Sequence, residues 1–323
     1  MSLLVRERSE ARLELPPLPE AAGAYRWFYV DVSAGEYSAV CIFMLGSLFS
    51  ARYSVAGRRG GRPQEYCAVN FALYHRGLRR HWVLSEYPRA AVEEGHTLRI
   101  GGSWLRYEAD GTVRMEVEER CAPFFSGLVQ GPRVRARLVL EPLASAVEEV
   151  QLVPGLPHWW RPLAPRARAR LEVDAAGLSL EGLGYHDTNH GGELLGARLP
   201  GWYWTRTHGP EETVVDYHLP EEVAPLRVVA GPLGTRCERG PLPREARPTS
   251  LTGWGLRVPA RLQAGNRLLE SAPRLLESSP FYARVEAREG GLDAMGEVAD
   301  FRRFHSPFIR WMAHFRTRVE GTA

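Results

Sequence analysis

The chain has 323 residues, a formal net charge of +3, and a composition that is 44% hydrophobic and 24% charged. That is ordinary for a folded protein of one large β domain or two smaller ones, and it excludes a disordered chain. The 41 Lys-plus-Arg residues are all Arg, which excludes a Schiff-base lysine, a P-loop lysine and a lysine general base, and with them pyridoxal enzymes and the common NTPase mechanisms.

The positive charge is diffuse, with no basic run longer than pairs such as Arg58-Arg59 and Arg79-Arg80. This argues against nucleic acid as a partner, while scattered arginine suits contact with an anionic membrane surface. Cys41, Cys67, Cys121 and Cys237 are far apart and form no CxxC pair, which argues against structural zinc and a compact disulfide framework. Residues 1–17 carry no apolar signal-peptide core, and the apolar run AVCIFMLG has eight residues, far short of the roughly 20 needed to span a bilayer. The expectation is a cytoplasmic protein without a transmembrane anchor.

In chain order, residues 1–20 are charged and end in PPLPE, which predicts a flexible lead. Short segments of β character follow. AYRWFYVDV (24–32) is aromatic and β-branched, SAVCIFMLGSLF (38–49) predicts a buried strand, and YCAVNFALYH and HWVLSEY continue the series. SWLRYE and TVRMEVEE flank Asp110-Gly111, a hairpin signal. In RVRARLVLEP, Val134, Ala136, Leu138 and Leu140 alternate with Arg133, Arg135 and Arg137, so one face is apolar. ARARLEVDAAGLSLEGLGYHD predicts two strands about a turn at 175–177. GWYWTRTH, TVVDYHL, LRVVAG and FYARVEAREG extend the pattern, PLPREARPTS reads as a loop, and FRRFHSPFIRWMAHFRTRV predicts a short amphipathic helix. Strands at such spacing predict an all-β sandwich or barrel architecture, doubled, with few short helices. The expected organisation is an N-terminal domain over 21–190 and a C-terminal one over 191–323, with the boundary within 165–195.

GLGYHDTNHGGE (182–193) carries the densest polar chemistry. His186 and His190 would share a face on a helix, but the surrounding glycines favour a strand, and no HExxH or nearby Cys supports a metal. On a strand, Tyr185, Asp187 and Asn189 face one way and His186, Thr188 and His190 the other, with Tyr185 and Asp187 about 7 Å apart. A phenol and a carboxyl in an apolar cavity make a proton-donor pair, because burial raises the carboxyl pKa. The alternative is an Asp tied to backbone amides in a tight turn. In LPHWWRPLAP, His158 and Trp160 share a face and Trp159 takes the other. Adjacent tryptophans commonly serve packing, but an indole face beside an acid can also stabilise a cation. In GWYWTRTHGP, Trp202, Trp204 and Arg206 share one parity, either as a core strand or as the wall of a cavity for a long apolar ligand.

Taken together, AYRWFYVDV, CIFMLGSLFSARY, YCAVNFALY, HWWRPLAP, GLGYHDTNHGGE, WYWTRTH, SSPFYAR and FHSPFIRWMAHFR occur in an order that resembles the carotenoid 1,2-hydratases, also called hydroxyneurosporene synthases. The resemblance runs from about residue 23 to 316. It implies two lipocalin-like β domains and hydration of the terminal C1=C2 bond of an acyclic carotenoid to a tertiary alcohol, without a cofactor. It implies a catalytic set in H-x-W and Y-x-D, here His158, Trp160, Tyr185 and Asp187. His186 stands where the family often has an apolar residue.

On this basis Asp187 is expected to protonate C2, with Tyr185 hydrogen-bonded to it, Trp160 sheltering the cation and His158 holding the water as its base. Trp202, Trp204, Asn189 and Arg206 are expected to bind substrate, and no metal or cofactor is expected. A bilayer-dissolved substrate implies peripheral association with the inner membrane, with FIRWMAHFR a candidate contact. A cyclase or pericyclase on the same fold, and a carotenoid or lipid carrier, are the competing readings.

Overall fold

The computed structural model describes residues 13–47, 49, 51–122, 131–219, 223–240, 249–314 and 317–320. Two antiparallel sheets dominate it. The first runs through β1 (Tyr25–Ala34), β2 (Tyr37–Leu45), β3 (Cys67–His75), β4 (Leu78–Tyr87), β5 (Ala90–Glu93), β6 (Thr97–Ile100), β7 (Ser103–Tyr107), β8 (Val113–Arg120), β9 (Arg133–Pro142), β10 (Val150–Gln151), β11 (His158–Val173) and β12 (Leu178–Gly191). The second takes up β13 (Gly201–His208), β14 (Thr213–His218), β15 (Leu226–Gly231) and β16 (Gly234–Arg239). Two small ribbons follow, β17 (Thr249–Leu251) with β18 (Arg257–Pro259) and β19 (Gln263–Ala264) with β20 (Arg267–Leu268). The second sheet is completed by β21 (Arg274–Ser278), β22 (Tyr282–Glu289) and β23 (Leu292–Asp300), and the short β24 (Arg318–Val319) returns to pair with β4. The helices are short: α1 (Ala51–Ala56), α2 (Pro307–His314) and a few 3₁₀ turns.

The all-β expectation holds, and its local signals have visible causes. The 107–113 hairpin turns at Gly111, which sits at φ +84. Val134, Ala136, Leu138 and Leu140 are buried as the alternation requires. The β11–β12 hairpin turns through Asp174–Ala176 and Gly177 at φ +60, the left-handed conformation that glycine adopts without strain. The strand expected over 38–49 instead ends at Leu45, and residues 51–56 are helical. PLPREARPTS lies outside the described residues up to 248, as do residues 1–12 of the expected lead. Leu13 of that lead is buried against the first sheet, with Leu15 and Leu18 packed beside it.

The first sheet buries both faces. Residues such as Phe28, Val30, Phe43, Phe71, Leu105 and Leu138 form a core inside its curl. The other face of β1–β4, β11 and β12 packs on the second sheet through Trp27, Tyr29, Ile42, Trp160, Tyr185, Trp204 and Tyr217. β11 makes the curl possible. Its register slips between Pro162 and Ala164 and again between Ala164 and Ala167, where two prolines, Pro162 and Pro165, cannot donate to a ladder.

Ion pairs and hydrogen bonds join the two sheets beside the apolar contact. Arg206 on β13 donates through Nη2 to Asp31 on β1 at 2.5 Å and through Nη1 to Asp293 at 3.1 Å. Ser33 donates to Asp293, Ser38 to Glu286, and Tyr74 and Trp82 to Glu277. Buried charges persist in this setting because each is met by opposite charge and hydrogen bonds.

Candidate active site

The inter-sheet face of β12 carries Tyr185, Asp187 and Asn189, as the strand alternation predicts. Register places Asp187 opposite Tyr29 and Asn189 opposite Trp27 on β1, and Asn189 opposite Trp160 on β11. The Trp160 indole N–H donates to Asp187 Oδ2 at 2.7 Å, and the Tyr185 hydroxyl donates to the same oxygen at 2.6 Å. Both donors are fully buried. Asp187 Oδ1 is buried with no hydrogen-bond partner among the described residues.

This asymmetry fixes the proton. Oδ2 is occupied by two donors, so a protonated Asp187 carries its hydrogen on Oδ1. Burial pushes the Asp187 carboxyl up to about 7 against the opposing pull of the two hydrogen bonds, and the nearby negative charges of Glu297 and Asp31 raise it further. Burial likewise holds the Tyr185 hydroxyl well above its ordinary value, so it remains a donor.

Asp187 borders a narrow cavity of about 50 Å³ between the sheets. Trp27, Tyr29, Trp202, Trp204 and Tyr217 supply aromatic walls, and Phe49, Phe281 and Phe301 continue the lining. Trp204 contacts Tyr29 edge-on and Tyr185 at a tilt, each at 5.4 Å between ring centres. Trp202 meets Trp27 edge-on at 5.7 Å and Phe301 at 4.7 Å. Asp187, Asn189 and Glu297 bring the carboxyl and carboxamide groups of the wall. An aromatic chamber with a neutral acid at one side can protonate an olefin and hold the cation that results.

Trp202, Trp204 and Asn189 line this cavity. Arg206 does not. Its side chain is fully buried among Asp31, Asp293 and Ser33 and forms no part of the cavity wall. Arg206 holds the sheets together, and its parity with Trp204 placed it on the right face but too far along the strand.

Trp160 and His158 also stand outside the cavity wall. Trp160 turns its N–H to Asp187 and packs edge-on against Tyr217 at 5.2 Å. It is absent from the cavity wall, whose indole rings are those of Trp27, Trp202 and Trp204. His158 is buried between the Tyr25 hydroxyl, 3.0 Å from Nδ1, and Glu193 Oε1, 3.2 Å from Nε2. Burial lowers its pKa, with Glu193 pulling the other way. In the neutral ring Nε2–H donates to the carboxylate and Nδ1 accepts from Tyr25, which leaves no acceptor nitrogen for a cavity water. Gly191 permits this approach: a Cβ there would stand 2.8 Å from His158 Nδ1 and 2.5 Å from the Tyr25 ring.

His186 faces the interior of the first sheet, where Tyr107 and the Tyr29 carbonyl bond its nitrogens at 2.9 and 2.8 Å, and burial lowers its pKa to about 4. His190 meets Glu149 at 2.8 Å. Wall residues not singled out from sequence include Trp27, Tyr29, Tyr217 and Glu297. Trp27 and Tyr29 alternate in YRWFYVDV, a usable signal; Glu297 sits in a strand whose pattern carried none.

Fold and site together define an all-β protein with a carboxyl of raised pKa facing an aromatic chamber between two sheets, a class suited to acid-driven chemistry on apolar substrates. Residues 41–321 match the family described as "Carotenoid hydratase CrtC", and the chain belongs to that family; it is an enzyme of the hydro-lyase class. It is 36% identical over 315 residues to an acyclic carotenoid 1,2-hydratase of Thiocapsa roseopersicina, covering 93% of this chain and 74% of that protein. It is 29% identical over 283 residues to an acyclic carotenoid 1,2-hydratase of Rhodobacter capsulatus, covering 85% and 96%. Among solved structures, kievitone hydratase from Nectria haematococca shares the fold with a TM-score of 0.51 at 10% identity, covering 88% of this chain and 90% of that one. CghA with Sch210972 does so with a TM-score of 0.55 at 11% identity, covering 91% and 96%.

Proposed function

We propose that this chain adds water across the terminal C1=C2 double bond of an acyclic carotenoid of the lycopene or neurosporene type, giving a tertiary alcohol. The observation that carries the reading is Asp187: two donors on Oδ2, a bare Oδ1, and a carboxyl raised to about 7 beside an aromatic chamber. Asp187 gives its Oδ1 proton to C2. Charge then develops at C1, and the ring faces of Trp27, Trp202 and Trp204 stabilise it by roughly 2 kcal/mol or more in a dry site. Tyr185 and Trp160 hold the carboxyl in place and stabilise the carboxylate left behind. Every group in this scheme belongs to the chain, so it calls on no cofactor.

The substrate is dissolved in a bilayer, and we place the membrane contact at α2. Phe308 and Trp311 are 62% and 58% exposed and stack at 6.0 Å, one turn apart on the outer face. Arg52, Arg59 and Arg310 border the adjoining groove and suit an anionic surface. Beneath, Ala313 and Ile309 join Phe304, Phe281 and Phe301 in an apolar cluster that reaches the cavity wall. Among the described residues, no helix is long and apolar enough to cross a membrane.

Incubation of the purified protein with lycopene or neurosporene in oxygen-18 water tests the activity. A labelled tertiary alcohol is expected. An unlabelled isomer would make the chain a cyclase, and unchanged bound pigment would make it a carrier.

A further inference from the structure

Hydration needs a second group, one that takes a proton from the attacking water. His158 has no acceptor to spare, as its nitrogens face Tyr25 and Glu193. The polar side chains of the cavity wall offer the alternatives.

Glu297 stands on β23 directly opposite Trp204 in the register, so it shares the inter-sheet face with that ring. It is 8% exposed and forms part of the same wall as Asp187 and Asn189. The two carboxyls come from different sheets, and the negative charge of Glu297 acts on Asp187 across the chamber. Their surroundings differ in one decisive respect. Asp187 receives only neutral donors, from Tyr185 and Trp160. Glu297 accepts from Arg284 Nε at 2.9 Å. Arg284 is fully buried and anchored by Tyr74 and Glu277 at 3.1 and 3.2 Å. Burial, against the pull of these two donors, favours the proton on Asp187, whereas Glu297 sits against a fixed guanidinium. Two carboxylates so distinguished in one cavity divide into an acid and a base.

We propose that Glu297 is the general base that activates the attacking water, with Arg284 as its positioning residue. The inference rests on the assignment of Asp187 as the acid. In balance, Asp187 Oδ1–H breaks and a C2–H bond forms with the π electrons, leaving C1 cationic. The water oxygen bonds to C1 while Glu297 takes one of its protons. Asp187 ends as carboxylate and Glu297 as acid, and proton exchange through solvent resets the pair. Asn189, whose Oδ1 is buried without a partner among the described residues, supplies an acceptor to orient that water.

The test is Glu297→Gln, which keeps the shape and the Arg284 contact, assayed with lycopene in the presence and absence of sodium azide. Azide captures a cation without needing a base. The expected result is a fall in kcat for hydration of about 100-fold at unchanged KM, with a 1-azido adduct forming when azide is present. Hydration within tenfold of the unsubstituted enzyme would overturn the assignment. Loss of both alcohol and azido adduct would also overturn it, because Glu297 would then be needed for proton delivery. If Glu297→Gln fails to fold, Glu297→Asp keeps the charge while withdrawing it by one methylene. The same fall in kcat is expected there, and a kcat within a factor of two would overturn the proposal. Loss of solvent deuterium at C2 in Asp187→Asn, with Glu297 intact, reports on the acid step, so failure of the acid assignment is read separately.

Discussion

Trp160 and Asp187, 27 residues apart in sequence, meet through a 2.7 Å hydrogen bond from the indole N–H to Oδ2. The bond turns the indole N–H toward the carboxyl. It also leaves Oδ1 as the oxygen that carries the proton, and the predictions below follow from that division.

Asp187→Asn removes the proton donor while keeping an acceptor for Trp160 and Tyr185. Hydration should fall by about 10²- to 10⁴-fold, measured as alcohol formed per enzyme. The same substitution should raise stability at pH 8. The folded-state pKa of Asp187, about 7, lies above the ordinary carboxylate value of 3.8. Its favourable contribution is therefore fully present below pH 4 and lost as pH rises through 7, leaving a buried carboxylate that costs on the order of 2–4 kcal/mol. A higher Tm for Asp187→Asn at pH 8, with the difference shrinking toward pH 5, checks the sign.

The rate should decline as pH rises through about 7, because Asp187 must hold its proton. Trp160→Phe deletes a donor that favours the carboxylate, so the midpoint of that decline should move to higher pH. A pH–rate profile of both proteins measures the shift; an unchanged midpoint would detach Trp160 from the acid.

Trp204 contacts Tyr29 and Tyr185 and lines the chamber. Trp204→Leu keeps an apolar wall but deletes the ring face, and kcat should fall about 30-fold, the equivalent of roughly 2 kcal/mol. Trp204→Phe should retain most of the rate.

Arg206→Met strands Asp31 between the sheets, whereas Asp293 keeps Arg288 and Ser33. Loss of one partner from such a buried cluster costs about 3–5 kcal/mol. The expected outcome is a large drop in the urea midpoint, with KM for the carotene unchanged in whatever protein remains folded. An altered KM at full stability would restore the substrate-binding role.

Phe308→Ser with Trp311→Ser should weaken sedimentation with anionic vesicles at least tenfold. Turnover of detergent-dispersed substrate should stay near that of the unsubstituted protein, since neither residue lines the cavity.

Much of this was legible in the residues. Period-two alternation placed Tyr185, Asp187 and Asn189 on one face, because pleat geometry alone dictates it, and it gave Trp202 and Trp204 a shared parity. Glycine at 111 and 177 marked the hairpin turns through their positive φ. What alternation cannot say is how far along a face two strands cross. Arg206 shares a parity with Trp204 yet lies at the Asp31 end, and His158 shares one with Trp160 yet lies at the Tyr25 end. Glu297 stayed hidden because an acidic residue in LDAMGEVAD reads as solvent-facing until Arg284 is brought beside it by the β22–β23 pairing.

Every step of the proposed hydration depends on Asp187 handing a proton to C2 of the olefin. The most direct measurement is hydration of lycopene in deuterium oxide, with the alcohol analysed by mass spectrometry and NMR. One non-exchangeable deuterium at C2 per hydrated end, formed by the unsubstituted protein and lost in Asp187→Asn, is the predicted result. An alcohol without deuterium at C2, or one formed at an undiminished rate by Asp187→Asn, would contradict it.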